Sequence, residues 1–294
     1  MGAIDKLMRL GDSTYLLRGS PSTLFHVNDE VVYVIDPGHG SKRAKQIKRV
    51  LAELGGEAVA VVTHYHSDHF ESLSKDTGIG KIYSSRLDKP GIEHPEYRVS
   101  MTFGLPLEEW QEALLYKPVA VGVDEAFDCG SRVGPLETLH LPGHTPGQIG
   151  VLTPDGVLYA ADAVFGERVL EAYLLPYHRD PCKARDSLAK LLGASFRVLV
   201  PGHGPVLEEG EGRELVRANM RVLDSFLSRL VESLEEPVSF EEILHRLVDD
   251  ASKAGSPGAM FLVEQSLRGA LACLAGRGLI EAGLEKKGVV WVKK

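Results

Sequence analysis

Short β-branched and aliphatic runs alternate with Gly/Pro punctuation through residues 1–205, a texture that predicts strands. The predicted strands are Thr14–Leu17, Ser22–Val27, Val31–Asp36, Ala58–Thr63, Lys81–Ser84, Leu136–Leu141, Gly150–Thr153, Val157–Ala160 and Arg197–Val200. Between them, SKRAKQIKRVLAEL (41–54) spaces Ala44, Ile47, Val50, Leu51 and Leu54 as one helical face. A second helix is predicted over Pro181–Leu192. Strands with helices interposed imply stacked sheets covered by helices, an α/β layered architecture. Residues 71–130 carry weak periodicity, although Pro106–Leu115 is predicted as a short helix with Pro near its start. Such an insertion either shapes a substrate pocket or elaborates the surface.

After PGHGP (201–205) the pattern changes. Glu211–Leu234 is predicted as one long amphipathic helix ended by Pro237. Next, SFEEILHRLVDD (239–250) begins with Ser239 and has Glu242 three residues on, a capping-box spacing. Val263–Ala275 predicts another helix, and GLIEAGLEKKGVVWVKK alternates around a turn at Gly288 as a hairpin. The order is winged-helix-like. The expected division is a large α/β domain over 1–205 and a helical linker with a winged-helix-like domain over 206–294.

A chain of 294 residues suits one large domain, or a large domain with a small one. Its 44% hydrophobic and 25% charged residues are ordinary for a folded protein. No stretch approaches ~20 consecutive apolar residues, so no membrane span is expected. The first residues lack a basic segment, apolar core and small-residue cleavage site, which makes a cytoplasmic location the expectation. A net charge of −8 gives no overall electrostatic footprint for nucleic acid and leaves a local basic patch open. Cys129, Cys182 and Cys273 are odd in number, far apart and without a Cys-x-x-Cys pair. They are expected to be small buried side chains rather than a disulfide framework.

Candidate chemistry concentrates in VVTHYHSDHF (61–70). If AVAVVT is a buried strand, side chains two apart point the same way, so His64 and His66 can present two imidazoles to one metal. Ser67 and Asp68 then turn the chain, and Asp68 with His69 faces elsewhere. Imidazole and carboxylate are ligands that zinc and iron accept. Three other strand ends offer partners: His144 in ETLHLPGHTPG, Asp162 in VLYAADAVFG and His203 in FRVLVPGHGP. One rim of a sheet could gather all four.

His64-x-His66-x-Asp68-His69, with His144 in GHTPG, Asp162, and His203 in PGHG, resembles the metallo-β-lactamase superfamily. The resemblance implies an αββα sandwich over roughly residues 12–205, with metals at one edge. It also implies that His64, His66 and His144 bind a first divalent ion and that Asp68, His69 and His203 bind a second. Asp162 would bridge both, and Asp36 in VVYVIDPG would support the site. His39, in the similar string DPGHG, lies outside this set, as do His26, His94, His140 and His245.

Two such ions, zinc above iron or manganese, would lower the pKa of a shared water and polarise a substrate oxygen. The expected activity is therefore hydrolysis at a carbonyl or phosphoryl centre, with Asp68 also the catalytic group that orients the nucleophile. GHTPGQIGVL is similar to glyoxalase II-like hydrolases, which implies a small ester or thioester substrate. Tyr173, Tyr177, His178 and Arg179 either bind an anionic substrate or form a surface loop. A metallo-β-lactamase-like domain followed by a winged-helix-like tail also resembles the LACTB2-like group, some of whose members cleave single-stranded RNA. Residues 205–294 hold 12 Lys/Arg against 15 Asp/Glu, and only EKKGVVWVKK concentrates positive charge, with Trp291 available for stacking. The tail could instead pack on the catalytic part or join two copies of the chain as a homodimer.

Overall fold

The computed structural model describes residues 2–104, 119–173, 175–248, 256–286 and 288–294. The helix predicted at Pro106–Leu115 lies outside the described residues. Strands β1 (Met8–Arg9), β2 (Thr14–Leu17), β3 (Thr23–Asn28), β4 (Val31–Ile35), β5 (Glu57–Val62), β6 (Lys81–Ser85) and β7 (Glu125–Phe127) form one sheet in that order. It is antiparallel up to β4 and parallel beyond it. The second sheet comprises β8 (Arg132–Val133), β9 (Leu136–His140), β10 (Ile149–Leu152), β11 (Val157–Ala161), β12 (Val198–Pro201) and β13 (Leu207–Glu208). It too runs in sequence order, with β11 and β12 parallel.

Because successive strand residues point to opposite faces, each sheet has an inner and an outer apolar set. Leu24, Ile35, Val59 and Val61 meet Ile149, Val151, Tyr159 and Val200 between the sheets. Phe25, Val32 and Val34 face out and are covered by Ile47, Val50 and Leu51 of α1 (Gly40–Leu54). Over the second sheet, Leu158, Ala160 and Leu199 lie beneath α5 (Pro181–Gly193) and α6 (Glu209–Glu232). The layers are helix, sheet, sheet, helix, as the α/β expectation had them. The remaining α-helices among the described residues of this part, α2 (Lys89–Glu93), α3 (Pro95–Phe103) and α4 (Glu167–Ala172), are short. Within the weakly patterned region, the buried Arg98 organises the chain by donating to the carbonyls of Gly91 (2.6 Å) and Val119 (2.7 Å).

Beyond α6 come β14 (Val238–Ser239), α7 (Phe240–Leu247), α8 (Pro257–Gly276), β15 (Ile280–Glu285) and β16 (Gly288–Lys293). The three strands form a small sheet with β16 central. The capping box is present: Ser239 Oγ accepts from Glu242 N, and the Glu242 carboxylate accepts from Ser239 N. Leu267, Ala270, Leu271 and Leu274 of α8 enter the same apolar cluster as Leu188 and Leu191 of α5. Among the described residues no helix is long and apolar enough to cross a membrane.

The cysteine expectation is corrected. Cys182 and Cys273 are joined in a disulfide that ties α5 to α8, while Cys129 is free. Their separation of 91 residues hid a pairing that exists because the two helices pack side by side. Arg277 reinforces the junction by pairing with Asp186 at 2.8 Å. Closing so long a loop restricts the unfolded chain by roughly 4–5 kcal/mol in the chain-entropy account. Cys273→Ser is therefore expected to lower the thermal midpoint by about 10 °C under oxidising conditions. An unchanged midpoint in a calorimetric scan would show that packing alone holds the two helices.

Candidate metal centre

The carboxyl ends of β4, β5, β11 and β12 lie along one rim, and the β9–β10 turn joins them there. Asp36 and Ala161, at the ends of β4 and β11, have φ of 48° and 47°, so the backbone leaves the sheet sharply where the candidate ligands begin. Ser67–His69 forms a single 3-10 turn after β5, which separates the directions of His66 and His69. Gly202 is needed for close approach, since a Cβ there would sit 2.5 Å from Asp162 Oδ1.

Hydrogen bonds from behind fix which nitrogen each ring offers inward. The Thr63 hydroxyl donates to Asp36 Oδ2 (2.7 Å), so its oxygen accepts from His64 Nδ1 (3.0 Å) and His64 Nε2 is left bare. His69 Nδ1 donates to the same Asp36 oxygen at 2.7 Å. His144 Nδ1 donates to the Tyr177 carbonyl at 2.8 Å. His203 Nδ1 meets Ser20 Oγ at 2.8 Å, and His66 Nε2 lies 3.5 Å from Thr102 Oγ1.

The inward atoms form two groups that could each hold a metal ion, His64 with His66 and His144, and Asp68 with His69 and His203. Asp162 reaches both, with Oδ1 3.4 Å from His69 Nε2 and Oδ2 3.4 Å from His144 Nε2. All seven predicted side chains thus come together. His64 Nε2, His69 Nε2 and Asp162 Oδ1 are buried without a hydrogen-bond partner. His66 Nδ1 and His144 Nε2 face each other at 2.7 Å. Buried polar atoms left unpaired are costly, and imidazole and carboxylate donors converging at one place fit a divalent cation.

The two groups differ electrostatically. Burial, with the neighbouring imidazoles, holds His64 and His66 well below the usual histidine pKa, and burial lowers His144 as well. Those three rings are thereby biased toward their neutral form. Burial opposes charge on His69 and His203 too, but Asp162 and Asp68 outweigh it and raise both. For Asp162, burial is overcome by His203 and His69, which hold the carboxyl well below its usual range.

Of the residues considered for substrate, Tyr177 and His178 are buried behind the cluster, and Arg179 is exposed and donates to the Met101 carbonyl. Tyr173 is exposed, and so is His39, which precedes α1 outside both groups. Asp36 supports the site as the resemblance implied. Thr63, Ser20 and the Tyr177 carbonyl were not foreseen; of these, only Thr63 had a local signal, adjoining His64.

A helix–sheet–sheet–helix sandwich gathers imidazoles and carboxylates at one rim, where they could hold metal. Residues 16–203 match the sequence profile of the metallo-beta-lactamase superfamily, and the chain belongs to that superfamily, whose members are hydrolases. The Drosophila melanogaster protein named "Beta-lactamase-like protein 2 homolog" is 27% identical over 244 residues, covering 76% of this chain and 71% of that one. A metallo-beta-lactamase family protein from Thermus thermophilus aligns over 96% of this chain and 99% of its own, with TM-score 0.68 and 19% identity. A beta-lactamase domain protein from Burkholderia ambifaria aligns over 100% and 95%, with TM-score 0.67 and 15% identity.

Neutral ligands take up a cation without losing protons, whereas protonated ones must release them. With His203→Ala, leaving the trio, zinc uptake at pH 7 is expected to release fewer protons, those of the neighbouring His69 alone. With His144→Ala it is expected to draw on both His69 and His203, and affinity should rise with pH through neutrality. Zinc titration in weak buffer with a pH indicator reads both, and equal release from the two variants would contradict the assignment.

Proposed function

We propose that the chain is a hydrolase working with two divalent cations. His64, His66 and His144 would hold one, Asp68, His69 and His203 the other, and Asp162 both. The observation that carries this reading is Asp162, whose carboxylate lies within reach of both ligand groups: Oδ1 is 3.4 Å from His69 Nε2, and Oδ2 is 3.4 Å from His144 Nε2 and 3.6 Å from His203 Nε2. Zinc suits the imidazole-rich set best, and iron or manganese would find the same donors. Bound there, such ions supply Lewis acidity toward a carbonyl or phosphoryl oxygen and acidify water.

The chain's own residues set access and proton handling. His66, Asp68 and His203 are half-buried while His64, His69, His144 and Asp162 are buried, so substrate approaches from the side of the former three. Asp68 Oδ2 lies 3.2 Å from His203 Nε2 and 3.6 Å from His69 Nε2. At that mouth its carboxylate can orient an attacking water and accept its proton.

A small ester or thioester is the substrate class we favour. A cavity of about 1030 Å³ opens beside His203, and Glu167, Glu211 and Glu214 on its wall outnumber Arg168 and Arg221. The cavity's own side chains thus lay down no continuous basic track for a polyanionic strand. In the basic tail Lys293 pairs with Glu235 (2.7 Å) and Lys294 with Glu281 (3.6 Å), and Trp291 packs on the α5–α8 core.

Cleavage of single-stranded RNA is the second reading. It is favoured by the named Drosophila relative and by the order α6–β14–α7–α8–β15–β16 with β16 central, which reads as winged-helix-like. A panel of thioesters, lactones, phosphodiesters and single-stranded RNA separates the two. Thioester or lactone hydrolysis is expected, abolished by chelation and restored by zinc. Asp162→Asn and His69→Ala should each cost more than the ~100-fold typical of residues behind a metal ligand. RNA cleavage with a steep salt dependence, and no ester turnover, would replace the first reading with the second.

A further inference from the structure

Asp88 follows β6 and stands at the N-cap of α2, where an aspartate ordinarily accepts from the helix's own first amides. Its side chain makes no such bond. The carboxylate is fully buried and turned away, accepting from three uncharged donors on two other segments. Oδ2 takes the Tyr65 amide at 3.2 Å and the Thr145 hydroxyl at 2.5 Å, and Oδ1 takes the Gly147 amide at 2.7 Å. Gly147 comes so close that a Cβ there would lie 2.6 Å from Asp88 Oδ1.

Tyr65 sits between His64 and His66, and Thr145 follows His144. One carboxylate therefore joins the strand end that carries two rings of the neutral trio to the turn that carries the third. The other ligand group is braced elsewhere, with Asp36 behind His69 and Ser20 behind His203. Burial pushes the Asp88 pKa up to about 7 against the pull of its three donors. The carboxylate is the acceptor for all three donors, and an apolar side chain there would leave each of them buried and unpaired.

We propose that Asp88 is a positioning residue for the His64/His66/His144 group and not for the Asp68/His69/His203 group. This rests on the reading that these groups hold cations. Asp88→Asn leaves one amide without an acceptor whichever way its NH2 turns, since the replaced oxygen faces either Tyr65 N or Gly147 N.

The test is zinc affinity, measured by competition with a chelating dye, in two backgrounds that each leave one group intact. Asp88→Asn is expected to weaken zinc binding by roughly 10–100-fold in His203→Ala. In His144→Ala the expected change is less than about twofold, a difference that the same ~10–100-fold range would expose. Thr145→Val should weaken the trio in the same way, with Thr145→Ser restoring it, and this pair serves if Asp88→Asn fails to fold. Equal weakening in both backgrounds, or none in either, overturns the proposal. If the unmodified protein takes up no zinc, the proposed function falls first and this inference with it. The cobalt-loaded spectrum gives a second readout: it should change for Asp88→Asn in His203→Ala and stay unchanged in His144→Ala.

Discussion

A buried imidazole can offer a lone pair inward only while its other nitrogen is held from behind, and the site is organised around that requirement. Asp36 carries the largest share. Its carboxylate, with no exposure to solvent, accepts from Thr63 N, Thr63 Oγ1 and His69 Nδ1. Through the Thr63 hydroxyl it also sets the tautomer of His64, so one acid on β4 governs two rings belonging to different ligand groups. Were the Thr63 hydroxyl free to turn, His64 could present either nitrogen to the centre. The inward array is thus as much a property of the outward hydrogen bonds as of the histidines themselves.

The fold supplies this by placing parallel neighbours where a shared rim is needed. β4 and β5 are parallel in one sheet, and β11 and β12 are parallel in the other, so four carboxyl ends lie together. The left-handed residues Asp36 and Ala161 then turn the chain off the sheet at two of those ends. Between the sheets, an interleaved apolar core fixes the spacing of the rims, which a loop-borne cluster could not maintain to the sub-ångström tolerance that ligand geometry demands.

What could be read from sequence followed from how local the constraint is. A metal ligand set imposes short strings, such as HYHSDH and PGHG, and strands impose a period of two, so the candidate ligands and most of β2–β6 and β9–β12 stood out. Asp88 did not, because its partners at Tyr65, Thr145 and Gly147 lie 23, 57 and 59 residues away and no periodicity links them. The Cys182–Cys273 pair failed for the same reason, since spacing carries no information when two helices meet only in the folded state. Arg98 was unreadable for a different cause: a buried arginine bound to backbone carbonyls looks, in sequence, like any surface arginine on a helix.

The segment after residue 205 acquires a role from these contacts without any ligand of its own. Ser266 Oγ on α8 accepts from His178 N at 3.0 Å, and Gly269 lies so close to the Arg179 carbonyl that a Cβ would fall 2.1 Å from it. These contacts press on the loop whose Tyr177 carbonyl holds His144. The disulfide and the Arg277–Asp186 pair fasten α8 a few residues further along the same wall. Without α8, Leu188 and Leu191 would lose part of their apolar cover and the loop its rear support, so one ring of the neutral trio would lose its fixed bearing. A C-terminal segment that braces the site from behind has a physical reason to be there whether or not it also meets RNA.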